Sequence, residues 1–152
     1  MTVPPTPQSS YTESHPPQAI MEALKGMVLA MPMARTLGLR FIDAPVSGGQ
    51  AGAQNGQLTV MCGGDPTPFE AARPVALAFS RAFTRMGDSG SGQLTKMVNQ
   101  ICIAGLVQGL SEAVAFGQKA GLDMDKALQV IGKGAAQSWQ LDNRGSTMVR
   151  DE

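Results

Sequence analysis

Histidine is almost missing from this sequence: His15 is the only one in 152 residues, and it lies among prolines. A histidine-based triad or a histidine zinc site therefore has no basis here. Cysteine is nearly as scarce. Cys62 and Cys102 have no metal-type spacing, so no metal site is expected, and they read as buried free thiols of a reducing compartment. Aromatic residues make up 5%, too few for a base-stacking platform. The formal net charge is zero, which gives neither nucleic acid nor an anionic membrane an electrostatic hold. No basic stretch followed by an apolar run marks a signal peptide, and the first 17 residues have no arginine for a transit peptide. These gaps predict a cytoplasmic protein with no nucleic-acid or membrane partner. What the sequence does hold is an ordinary 43% of hydrophobic residues, 18 glycines and 10 methionines. That mixture suits close helix packing and a site built largely from backbone.

Residues 1–17 are rich in Pro, Ser and Thr, carry no apolar run, and read as a disordered tail. Residues 18–37 have apolar residues at helical spacing, with Pro32 kinking or ending the helix. Leu39 to Val46 reads as one strand, with Pro45 at its end or edge, followed by a tight Ser47-Gly48-Gly49 turn and a second turn at Asn55-Gly56. Leu58 to Cys62 is the next strand. Asp65-Pro66 starts a helix that turns Phe69, Ala72, Ala76 and Phe79 inward and is kinked at Pro74. Ala82 to Met86 is a further strand. A long helix from about Gly92 to Lys119 ends at Gly121, a helix capped by Asp123 runs to Ile131, and Ala135 to Asn143 forms one more, with Trp139 as a core anchor. Strands dominate before residue 87 and helices after it. The fold class is therefore α/β followed by all-α, divided into 1–17, 18–90 and 91–152.

The chain is organised around Gly87-Asp88-Ser89-Gly90-Ser91-Gly92, a glycine-rich loop that opens the long helix, with Ser89 or Ser91 as its N-cap. Lys96 sits one turn in, and Asn99 and Gln100 follow on the same face. No charge appears again until Glu112, which predicts a mostly buried helix. Burial and the positive helix end both disfavour an ammonium there and would push Lys96 towards the range useful for proton transfer. The loop lacks the Gly-Lys-Ser/Thr ending of a P-loop. Ser47-Gly48-Gly49-Gln50-Ala51-Gly52 fails as a dinucleotide fingerprint, because its first glycine position is Ser47 and no apolar helix follows. Read alone, that turn is either ordinary or a nest whose amides converge on a carboxylate.

Three blocks together resemble the β-hydroxyacid dehydrogenase family, which includes 3-hydroxyisobutyrate dehydrogenase and tartronate semialdehyde reductase. Phe41 to Gly49 is similar to its substrate-binding signature and Gly92 to Gln100 to its catalytic signature. Ala120 to Asp123, with Gly134 to Trp139 and Asn143 to Gly145, resembles the start of its helical domain. The resemblance implies that the C-terminal part of a Rossmann-type domain is joined by a long helix to the start of a helical domain. It implies that Ser47, Gly48 and Gly49 bind a substrate carboxylate and that Lys96 is the general acid/base. Asn99 would hydrogen-bond the substrate or position Lys96, and NAD or NADP would be the cofactor. The family's opening Gly-x-Gly-x-x-Gly turn has no counterpart, so the chain looks like the middle of such an enzyme, cut at both ends, and no cofactor-binding residue is assigned. The expected activity is dehydrogenation of a small 3-hydroxy acid or reduction of the matching semialdehyde. The rival expectation is a non-catalytic interaction module that self-associates through its helical part.

Overall fold

The computed structural model describes residues 17–152, so the expected tail up to residue 16 lies outside it. The described residues divide into two compact units, one ending at Lys96 and the other running Met97–Glu152. The first begins with α1 (Pro17–Ala30) and α2 (Pro32–Thr36). Pro32 opens α2 at a position where its missing N–H costs nothing.

The sheet is built on β3 (Leu58–Gly64). On one side β1 (Ile42–Asp43) and β2 (Val46–Ser47) pair with it antiparallel. Ile42 lies opposite Gly64, Asp43 opposite Gly63, Val46 opposite Val60 and Ser47 opposite Thr59. These pairs share one unbroken register, interrupted only at Ala44-Pro45. Pro45 has no N–H to give the ladder, but its carbonyl accepts from the Met61 amide at 3.0 Å. The expected single strand is therefore one ladder with a proline inside it, shorter at its start than Leu39. Between β2 and β3 stands a six-residue helix, α3 (Gly49–Gln54), where the sequence suggested only turns; it is polar and buries nothing.

On the other side of β3, β4 (Ser80–Gly87) pairs with it in parallel, and α4 (Pro66–Leu77) supplies the crossover. Alternation along the strands sorts the residues into two faces. Val60, Cys62 and Phe83 pack with Phe69 and Ala76 of α4, and Ile42 and Ala72 border this cluster. The Phe69 and Phe83 rings stack with centroids 4.5 Å apart. Phe79 was expected inward, but it follows the end of α4 and is exposed.

The second unit holds most of α5 (Ser91–Lys119), then α6 (Met124–Ile131) and α7 (Trp139–Arg150). Leu110 and Val114 of α5 pack with Met124, Leu128 and Leu141. Gly121, at a φ of 75°, ends α5 as expected, and the Asp123 carboxylate accepts from the Lys126 amide at 3.1 Å. The last helix starts later than expected, because the Ser138 hydroxyl accepts from the Leu141 amide and fixes the N-cap there. Trp139 then falls in the exposed first turn, 62% accessible, so it is not a core anchor. The expected burial of α5 also fails: Ile101 and Phe116 are each 73% exposed, and Cys102 is exposed while Cys62 is buried. The sequence gap in charge reflects an apolar helix, yet among the described residues only one side of it is covered.

Candidate functional site: a carboxylate-pinned helix start beside a glycine turn

The site residues in the first unit are set on the sheet face opposite α4. Strand alternation puts Asp43, Pro45 and Ser47 there, with Thr59, Met61 and Gly63 beside them. Asp43 is 4% exposed, and its carboxylate accepts from the Gly90 amide at 2.7 Å and the Gln93 amide at 3.0 Å. It thus satisfies two orphan donors at the start of α5 and places a negative charge at the positive end of the helix. Two glycines make room for it. A Cβ on Gly63 would run into the Asp43 carboxylate, and one on Gly92 would meet Asp43 Oδ2 at 2.6 Å and the Met61 carbonyl. The expected caps, Ser89 and Ser91, do not take this role; among the described residues the buried Ser89 hydroxyl has no partner at all. Asp43 is the residue that sequence reasoning missed. Its signal was an acid inside an apolar strand, since a buried carboxylate must find donors.

The burial of Cys62, and then the negative Asp43 nearby, push that thiol above its ordinary pKa. Near the end of β4, Arg85 donates to the Gly64 carbonyl at 2.8 Å and to Asp88 of the following loop at 2.9 Å, which ties the end of β4 to the end of β3.

Ser47 is half-buried at the end of β2, and Gly48 and Gly49 follow it, exposed, with φ of 129° and 60°. Both values favour glycine, and at Gly48 a Cβ would also meet the Leu58 side chain at 3.1 Å. Nothing lies within 4 Å of the Cβ position at Gly49, and no side chain caps α3 at Gly48, so the turn is open on its outer side. Lys96 is half-buried on α5, four residues after the Gly92 contact and so on the same side of the helix. Among the described residues it makes no ion pair. The fold therefore brings the Ser47-Gly48-Gly49 turn and the helix start that carries Lys96 to one face of one sheet. Asn99 belongs to the second unit, where it is half-buried and donates to Gln100 at 3.0 Å. The larger of the two described cavities, about 400 Å³, is lined by Ala19, Glu22, Lys25, Asp65, Asp88 and Ser89 and includes neither Ser47 nor Lys96.

A parallel strand pair with its crossover helix, leading through a long helix into an all-α unit, is the plan of part of a Rossmann-type dehydrogenase. Comparison with known proteins agrees. Residues 28–87 match the family model described as the NAD binding domain of 6-phosphogluconate dehydrogenase. Residues 90–152 match the one described as NAD-binding of NADP-dependent 3-hydroxyisobutyrate dehydrogenase. An uncharacterized oxidoreductase of Shewanella frigidimarina is 62% identical over 112 residues, covering 74% of this chain and 38% of that protein. The 2-hydroxy-3-oxopropionate reductase of Escherichia coli is 40% identical over 114 residues, covering 75% and 39%. The crystal structure of 3-hydroxyisobutyrate dehydrogenase from Salmonella typhimurium superposes with a TM-score of 0.69 at 32% identity, covering 88% of this chain and 44% of that one. The chain belongs to the β-hydroxyacid dehydrogenase family, and it spans about two fifths of the length of these relatives.

Both matched models describe NAD-binding domains, and the family cofactor is NAD or NADP. The described residues do not fit the pyrophosphate of that cofactor. At each helix that follows a strand of the parallel pair, a carboxylate already stands at the N-terminus. Asp65 precedes Pro66 at the start of α4, and Asp43 holds the amides of α5. A phosphate would meet a negative charge at the start of α5; at α4 the Asp65 carboxylate makes no cap hydrogen bond and is paired with Lys25 at 3.1 Å.

Proposed function

We propose that this chain carries the substrate-handling part of an NAD- or NADP-dependent dehydrogenase acting on a small 3-hydroxy acid, or on the matching semialdehyde in reverse. Residues 18–90 serve as the partial Rossmann-type domain, and 91–152 as the interdomain helix with the partial helical domain. The amides of Ser47, Gly48 and Gly49 and the Ser47 hydroxyl hold the substrate carboxylate. Lys96 takes the proton from the substrate hydroxyl during oxidation and returns it to the oxygen during reduction. Asn99, one turn further along the helix, hydrogen-bonds the substrate or positions Lys96. The observation that carries this reading is the Asp43 tether. Its two hydrogen bonds fix the first turn of α5 against the strand that leads into Ser47-Gly48-Gly49.

Some relatives are named for small hydroxy-acid and semialdehyde chemistry, and the solved structure of the Mycobacterium tuberculosis 3-hydroxyisobutyrate dehydrogenase is one with L-serine. These names support the substrate class proposed here, and the mostly bacterial relatives support a cytoplasmic setting. With millimolar NAD or NADP and 3-hydroxyisobutyrate, Lys96→Ala should lower turnover by about 10²–10⁴-fold. An active Lys96→Ala chain contradicts the assignment of Lys96, and inactivity of both forms favours the second reading below.

A second reading has its own observation. The exposed apolar side of α5 favours self-association of the chain through its helical unit.

A further inference from the structure

At the end of the sheet that carries Ser47, the pairing of β3 with β4 is interrupted. Leu58 lies opposite Ser80 and Thr59 opposite Ala82, so Arg81 is left without a partner on β3. This is a bulge, uncommon in a parallel pair, and bulges re-aim side chains near functional sites. Here the bulged residue is a cation, and it turns across the sheet: Arg81 Nε donates to Thr59 Oγ1 at 3.5 Å. Thr59 lies directly opposite Ser47 on the other side of β3. Arg81, Thr59 and Ser47 thus form one row across β4, β3 and β2. Opposed side chains of an antiparallel pair have Cβ atoms about 5 Å apart, which puts Arg81 Nε within about 10 Å of the Ser47 side chain. Arg81 is exposed, and among the described residues no carboxylate pairs with it. The negative charge of Asp43 stands four residues back along the same ladder, about 13 Å away at 3.3 Å per residue.

We propose that Arg81 is a specificity residue that takes a second carboxylate, so that the acid handled at the Ser47-Gly48-Gly49 turn is a 3-hydroxy diacid. The inference rests on the assignment of that turn to the first carboxylate. Hydrogen bonds use about 3 Å at each end of the 10 Å span, which leaves about 4 Å between the two acid groups. Two carboxylates joined through two or three carbons stand that far apart. Thr59 engages the Nε side of the guanidinium and leaves the terminal amino pair, a fork that matches a carboxylate with two parallel bonds. Charge decides against a phosphate, which would bring nearly two negative charges to a single cation. 2-(Hydroxymethyl)succinate has the required form. It differs from 3-hydroxyisobutyrate only by a carboxylate in place of one hydrogen of the methyl group.

The test is an NMR titration of the ¹⁵N-labelled 152-residue chain with each of these two acids. Neutral pH keeps every carboxylate ionised, and about 0.15 M salt screens long-range attraction. The diacid should bind about 10–100-fold more tightly than 3-hydroxyisobutyrate, with shifts at the Arg81 side-chain N–H and at the amides of Gly48 and Gly49. Arg81→Gln should bring the two affinities together. Arg81→Lys, which keeps the charge but loses the fork, should retain part of the preference. Thr59→Val keeps the shape and β-branching of the strand residue and should lower the preference by releasing the guanidinium. Arg81 is exposed, so its variants should keep the circular dichroism of the native chain. Equal affinity for the two acids in the native chain, or a preference that survives Arg81→Gln, overturns the role of Arg81 and leaves the turn assignment standing. Failure of both acids to bind overturns the turn assignment and this inference together.

Discussion

At the scale of single residues, the site depends on a carboxylate that does no chemistry. Asp43 is buried, and the amides of Gly90 and Gln93 are its partners. Asp43→Ala should destabilise the first unit by about 2–4 kcal/mol, as a lost cap and two unpaired donors. Gly92→Ala should cost at least as much, because its methyl meets Asp43 and the Met61 carbonyl. Urea unfolding followed by circular dichroism measures both, and a loss under about 0.5 kcal/mol for either would contradict the tether. Residue-level reading of the sequence singled out Ser47, Gly48, Gly49 and Lys96, but spacing and residue type alone left the turn ordinary and the lysine undistinguished, and roles for them are proposed by the resemblance to a family. It missed Asp43 because the partners of a carboxylate 47 residues away leave no local pattern. It chose Ser89 or Ser91 as caps from the local rule, and a long-range carboxylate displaced them.

At the scale of elements, periodicity located every strand and most helices, and punctuation residues set the clearest ends. Pro32 opens α2, Gly121 ends α5 and Asp123 caps α6. Errors arose where two rules competed. The Ala135–Asn143 pattern gave way to the Ser138 cap, and the Ser47-Gly48-Gly49 turn continues into a short helix that has no apolar face to announce it. Burial of α5 was misjudged for a different reason: the sequence states that a helix is apolar but not what covers it. The two thiols report this directly. Cys62 is enclosed in the sheet core with its pKa raised, while Cys102 lies on the open side of α5. In dilute native chain one thiol should react with a maleimide, and the second only after unfolding. Rapid labelling of both in the native state, or of Cys62 first, would contradict the sheet core described above.

At the scale of the whole molecule, the chain holds part of a dehydrogenase plan. It includes the Ser47-Gly48-Gly49 turn and the lysine-bearing helix start, but the described residues offer no cradle for a pyrophosphate. The fold class was legible because strands and helices segregate along the sequence, and the family because two signature blocks survive in order. The central claim is that the Ser47-Gly48-Gly49 turn takes the carboxylate of a small 3-hydroxy acid within reach of Lys96. Titrating the ¹⁵N-labelled chain with 3-hydroxyisobutyrate and following the backbone amides by NMR tests it most directly. The account predicts saturable shifts at Ser47, Gly48, Gly49 and Lys96, with those at the turn abolished in Ser47→Ala. Shifts confined to other residues, or none at saturating acid, would contradict it.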